Sequence, residues 1–188
     1  ETRFGSVKAG VTTNRREREF AARRLRFVVA NQMQFDLSLP PEQLFTIDNI
    51  RPGGFEIREQ TGANDAYDAF HDVDAAFAMV DASWGKWRLI SGVRYEKSDL
   101  EVQTYNPFAA GQLAVARDLN RDWLPALNLV YQVRSDTNVR VAASRTVNRP
   151  EFRELSPFSF VEVTGGKSVA GNPELKQATI DAVDVRWE

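Results

Sequence analysis

The residues of this chain whose types could do chemistry are arginines and carboxylates, with a single histidine and no cysteine. His71 stands near Asp68, Asp72 and Asp74, a grouping that could be drawn as an acid–base or calcium cluster. Its spacing departs from the calcium loop of an EF-hand, and charges near a strand start, facing solvent or an interior lumen, are the better explanation. Without thiolates, and with one imidazole, the chain holds neither a Cys-ligated zinc or iron–sulfur site nor a multi-histidine metal site. Gly165-Gly166-Lys167-Ser168 resembles the end of a phosphate-binding loop, yet Val161 occupies the position of that motif's first glycine. No nucleotide site, no cofactor and no enzymatic activity are therefore expected. What remains is noncovalent recognition, for which guanidinium groups suit carboxylates and phosphates in paired contacts. The candidate ligand contacts are Arg94, Glu96, Arg145, Arg149, Glu151 and Arg153. Pairing with one another or with another part of the protein is the competing role for each. Phe108, Phe152, Phe158 and Phe160 are candidate aromatic loop contacts, with loop packing as the alternative.

The elements that must position these groups are read from period-two alternation. In Trp87 to Asp99, odd positions carry Trp87, Leu89, Ser91, Val93 and Tyr95, while even ones carry Arg88, Ile90, Gly92, Arg94 and Glu96. That pattern predicts a strand dividing two environments. Trp123 to Val133, Asn138 to Asn148 and Ala178 to Glu188 follow suit, with Asn128, Gln132 and Arg140 on the polar sides. Phe70 to Trp84 fits both a strand and a helical stripe through Ala66, Phe70, Val73, Phe77 and Val80. The glycine turn Trp84-Gly85-Lys86-Trp87, leading straight into a strong strand, favours the strand. Ser6 to Thr13 looks extended. From Arg15 to Val29 two readings compete, an amphipathic helix and a strand that rises beyond a membrane with its mixed charges solvated.

Length and totals admit an ordinary domain: 43% of residues are hydrophobic, and 24 Lys+Arg against 26 Asp+Glu leave a net charge of −2. Near-balance of charge speaks against a broad nucleic-acid surface. No apolar run approaches the roughly 18–20 residues of a spanning helix. The start of the chain lacks the pattern of a signal peptide, so any targeting segment would lie outside this stretch. Membrane β-barrels have equally bland totals, because lipid-facing and lumen-facing residues alternate. Connection lengths help to separate the two. Trp84 to Lys86 and Arg134 to Thr137 read as tight turns, whereas Asn31–Ala66, Thr104–Asp122 and Arg149–Gln177 read as long connections. Short and long alternate, as in barrels trimmed on one side of the membrane and looped on the other. Trp84 and Trp87 would then belong to an aromatic girdle.

The segment Ser144-Arg145-Thr146-Val147-Asn148-Arg149-Pro150-Glu151-Phe152-Arg153-Glu154-Leu155-Ser156-Pro157-Phe158 is followed by Gly171-Asn172-Pro173-Glu174-Leu175-Lys176 and by Asp181 to Glu188. In this order they resemble the barrel region of TonB-dependent outer-membrane receptors. Gly92-Val93-Arg94-Tyr95-Glu96 and Val7-Lys8-Ala9-Gly10-Val11 are similar to barrel strands of that family. The likeness is weakest in Asn31 to Asn64. It implies an all-β fold of antiparallel up-and-down strands from a transmembrane β-barrel, about six of them here. Long extracellular loops would join the strands. Pro150, Phe152, Leu155, Pro157, Gly171, Asn172 and Pro173 would be architectural, shaping the loop's entry and exit. The plug domain, TonB-contacting segment and signal peptide of such receptors find no counterpart in residues 1–188, which are expected to be part of a larger barrel.

Function follows from the same resemblance. It implies a place in the outer membrane, among lipid, and partners in the receptor's own plug domain, the TonB complex and a small-molecule or glycan ligand. The expected activity is TonB-energised import of a siderophore, a cobalamin or a glycan. A soluble β-rich binding module, with its apolar faces packed in a sandwich, is the alternative. A passive porin is a third reading, which the loop motif disfavours.

Overall fold

The computed structural model describes residues 5–30, 35–105, 111–161 and 167–188. In chain order the elements are β1 (Ser6–Ala21), β2 (Leu25–Val29), the single-turn helix α1 (Pro41–Leu44), β3 (Phe55–Glu59), β4 (Ala66–Trp84) and β5 (Trp87–Tyr105). They continue as β6 (Leu113–Arg134), β7 (Thr137–Asn148), the single turn α2 (Phe152–Leu155), β8 (Ser159–Val161), β9 (Ser168–Ala170) and β10 (Ala178–Trp187). Six of the strands form one antiparallel sheet in the order β1-β4-β5-β6-β7-β10. This is an up-and-down meander, interrupted by two excursions that form small hairpins of their own, β2 with β3 and β8 with β9. The sheet is open, with β1 and β10 at its edges.

Both ambiguous segments are strands. Phe70 to Trp84 lies in β4, and the Arg15–Glu19 charge run lies in β1, paired to β4 from Ser6↔Asp81 to Ala21↔Ala66. Residues to Val29 then add β2, so the helical reading of this stretch is not realised. The connection expected over Thr104–Asp122 is much shorter, because β5 and β6 remain paired up to Tyr105↔Leu113. The strand escaped the sequence reading because Arg117 and Arg121 alternate with Asp118 and Asp122, charging both faces. The tight turn after Trp84 is confirmed, with Gly85 at φ 54°, a left-handed conformation that glycine adopts without a Cβ penalty.

The register sorts the side chains onto two faces. One aligned row carries Trp84, Trp87, Tyr131, Val139 and Trp187 near the short turns. Trp87 and Tyr131 lie 4.4 Å apart between ring centroids. Eight residues further up β5, Tyr95 pairs with Trp123, their rings 4.9 Å apart. On this face the intervening positions include Ala76, Ala78, Val80, Leu89, Val93, Leu127, Leu129, Val141 and Val183. At about 3.3 Å per residue and a tilt of about 40°, eight residues span about 20 Å, close to the height of a barrel's apolar band. On β4, β5 and β6 this belt between the two aromatic rows comprises Ala76–Trp84, Trp87–Tyr95 and Trp123–Tyr131. All three strands continue well above the upper aromatic pair, and there their outward faces turn charged, with Asp72, Lys97, Asp99, Arg117 and Arg121.

The opposite face carries the buried cluster, Tyr67, Ala69, Leu100, Val102 and Ala116 from the sheet with Phe152 and Leu155 of α2. Fully burying two such side chains contributes about 1.5–3 kcal/mol each, enough to hold one turn of helix that is too short to be stable alone. The loop after β7 therefore folds inward over the polar face. The β2–β3 excursion has its own aromatic cluster, with Phe45 4.6 Å from Phe27 and 5.1 Å from Phe55.

Candidate functional site

The inward-folded loop is built from the two motif segments, which grip each other and the sheet. At its entry, Arg149 uses one terminal nitrogen to donate to Glu96 Oε2 at 2.7 Å and to Asp122 Oδ2 at 3.2 Å. At its exit, Gln177 donates through Nε2 to the other oxygen of Asp122 at 2.7 Å, and its backbone N–H donates to Asp118 Oδ2 at 3.3 Å. One carboxylate of β6 thus fastens both ends of the loop. Between them, the Asn172 N–H donates to the Glu154 carbonyl at 2.6 Å, and Asn172 Oδ1 accepts from the Glu174 N–H at 2.9 Å. Glu154 Oε2 accepts from the Glu151 N–H at 2.8 Å, closing the first turn of α2. Gly171 packs against the Ser156, Glu154 and Arg153 carbonyls with no room for a Cβ. Gly171 and Asn172 thus touch the backbone of α2, whose Phe152 and Leu155 pack against the sheet.

Two arginines at the start of the chain complete the anchoring. The Arg16 guanidinium lies 5.4 Å from the Phe152 ring centroid, and that of Arg24 lies 5.4 Å from Phe158. Phe158 also meets Phe20 edge-on at 5.1 Å. Arg16 donates to His71 Nδ1 at 2.8 Å. A guanidinium only donates, so Nδ1 carries the lone pair and Nε2–H faces Ser98 Oγ, 3.0 Å away and fully buried. Burial, reinforced by Arg16 and Arg149, lowers the His71 pKa below its ordinary value, consistent with a neutral ring. His71, opposite Leu100, lies above the upper aromatic pair and outside the belt. Asp68, Asp72 and Asp74 point to the other face, as the alternation requires, so the structure brings no His–Asp cluster together. Among the described residues no group of His, Cys, Asp and Glu could hold a metal ion.

The predicted polar set separates into distinct places. Arg94, Glu96 and Arg149 meet, with Arg94 donating to Glu96 Oε1 at 2.6 Å, and together with Arg16 and His71 they line a cavity of about 240 Å³. Three guanidiniums and one carboxylate make this wall electropositive. Glu151 and Arg153 line a second cavity of about 500 Å³ beside Val169, Gly171 and Leu175. Arg145 is on the outward face, paired with Asp181 at 2.7 and 2.9 Å, and does not join the others. Arg88, Asn128, Gln132 and Arg140 share the inner face of Arg94 and Glu96; Arg88 is held by Asp81 at 2.8 Å. Arg16, Asp122 and Gln177 were absent from the sequence-based candidates. Alternation along Arg15–Glu19 would have turned Arg16 inward, and Asp122 lay in a segment read as loop. Phe108, Gly165 and Gly166 lie outside the described residues.

A sheet with an apolar, aromatic-bordered belt on one face, interrupted only by the Arg145–Asp181 pair near its upper edge, and a charged wall under an inward-folded loop on the other has the two-faced character of a transmembrane β-barrel wall. Over residues 3–188 the chain matches the family described as TonB dependent receptor-like, beta-barrel, and it belongs to that family. The family is one of outer-membrane transporters of Gram-negative bacteria, not of enzymes. No curated protein and no solved structure matched the chain.

Proposed function

We propose that this protein is a TonB-energised importer of a scarce ligand, a siderophore, a cobalamin or a glycan, and that residues 1–188 form one stretch of its barrel wall. The observation that carries this reading is the family match across nearly the whole chain, joined to a loop that folds over the inner face. In this reading Arg94, Glu96 and Arg149 present the lumen wall to ligand or plug, and Glu151 and Arg153 present the rim. The excess of guanidinium groups favours an anionic group on whatever passes or docks there. Asn128 Oδ1, Arg140 Nε, Arg149 Nε and Gln177 Oε1 are buried without hydrogen-bond partners, which supports a plug domain of the same protein as the missing counterpart. Arg145, facing outward, serves the barrel rather than the ligand.

The test is expression of the whole receptor in a Gram-negative host. It should fractionate with the outer membrane, migrate faster on a gel before boiling than after, and import its ligand only when the TonB system is intact. Uptake that persists without TonB would reduce the protein to a passive pore. A soluble, heat-unmodified protein would instead support the sandwich alternative.

A further inference from the structure

The outward face just above the upper aromatic pair holds an arrangement that the transport reading does not use. Lys97 of β5 and Arg121 of β6 stand directly opposite one another in the antiparallel register, where like charges repel. Neither forms an ion pair among the described residues, although carboxylates lie close by. Asp99 is taken by Arg117, which donates to it at 2.7 and 3.0 Å, and Asp74 accepts from Thr13 at 3.0 Å. Lys97, Arg121 and Arg117 border a recess of about 530 Å³ on β5 and β6, with Asp99 its one acidic side chain and Leu119 59% exposed at its side. The recess lies two residues beyond Tyr95 and Trp123, the level at which aromatic side chains mark the lipid head groups.

We infer that this recess binds the phosphate of an anionic lipid head group in the outer leaflet. The inference rests on the outer-membrane reading above. Two unpaired cations of different reach supply a compact ammonium and a planar fork to the same anion, which relieves their repulsion. Trp123, on the belt side of the recess, offers apolar surface to the lipid's acyl portion. Basic residues beside a membrane surface hold anionic lipids in this way, at about 1 kcal/mol for each charge.

The experiment is native mass spectrometry of the whole receptor extracted in mild detergent, supplied with bisphosphorylated lipid A or with the same lipid stripped of both phosphates. Wild type should retain the phosphorylated lipid and not the stripped one. Lys97→Gln combined with Arg121→Gln should weaken retention about 30-fold, the equivalent of two such charges. Arg121→Lys, which keeps the charge, should preserve most of it. Each variant is checked for heat-modifiable migration. A heat-modifiable double variant that holds lipid as tightly as wild type overturns the recess alone, as does equal retention of the stripped lipid or a second protein copy in its place. A wild type that is not heat-modifiable overturns the membrane reading, and the recess falls with it.

Discussion

Gly171 lies so close to the backbone carbonyl oxygen of Ser156 that a Cβ on it would overlap that oxygen. The contact is backbone against backbone, so no side-chain rotation relieves it. It joins the loop's return to the end of α2, and through Leu155 and Phe152 to the buried cluster on the inner face. Gly171→Ala should cost about 1–3 kcal/mol, the range for forcing extra atoms into a packed site. Urea titration of heat-modifiable migration would read this as a lowered midpoint. An unchanged midpoint would show that the two motif segments do not depend on each other.

Arg149 is the second fastening. Its side chain is 16% exposed, against 10% for Glu96 and 13% for Asp122, so removing it leaves two largely buried carboxylates with Arg94 and Gln177 as their remaining donors. Arg149→Ala should destabilise the barrel by about 2–4 kcal/mol, toward the lower part of the range for broken buried pairs because water reaches the lumen. Arg149→Lys should recover part of this, since an ammonium replaces the charge but not the fork. If Arg149→Ala unfolds at the wild-type urea concentration, Gln177 and the aromatic contacts hold the loop without it.

Much of this was legible in the sequence wherever one face of a strand meets lipid. From Trp87 to Tyr95 and from Trp123 to Val133 the alternation is clean because every outward position on these two stretches is uncharged. Above Tyr95 that constraint ends, and β1 and the upper half of β6 carry charge on both faces. There the period fades, and Arg16 and Asp122 went unnoticed as members of the inner wall. The inner alignment of Arg94 with Glu96 followed from parity alone. The convergence of Arg149 and Gln177 on Asp122 joins residues brought together only by the fold, and no local pattern announces it.

The β2–β3 excursion carries a pH dependence of its own. Arg23 donates to Glu59 at 2.7 and 3.1 Å, and Thr61 Oγ1 donates at 2.7 Å. These hydrogen bonds, Arg23's first, hold the Glu59 carboxyl down at about 2. A depressed carboxylate stabilises the folded form fully above its ordinary value of about 4.3, and that contribution disappears as pH falls through about 2. Both groups are open to solvent, so the effect is small and local. Hydrogen exchange of the β2–β3 amides, corrected for intrinsic rates, should hold steady from neutral pH to about 5 and then weaken. Glu59→Gln should remove that step. Matching profiles for the two proteins would show that the pair does not stabilise the hairpin.

Leu127 and Asn128 are adjacent in β6 and face opposite ways, which makes them a direct test of which side meets lipid. Leu127 is 41% exposed on the belt face, midway between the two aromatic rows, and Asn128 lies on the inner face. Were the belt in water, Leu127→Arg would remove one exposed leucine and change stability by less than about 0.5 kcal/mol. In hydrocarbon the same arginine costs about 2–4 kcal/mol near the midplane, while a lumen-facing substitution acts mainly on selectivity. Leu127→Arg should therefore lower the urea midpoint of heat-modifiable migration and the yield of assembled receptor, and Asn128→Arg should leave both near wild type. A sandwich would give the same outcome only if a second layer covered the belt, and among the described residues none does. Equal tolerance at the two positions would mean that the belt face meets water, and the membrane assignment of the whole sheet would have to be withdrawn.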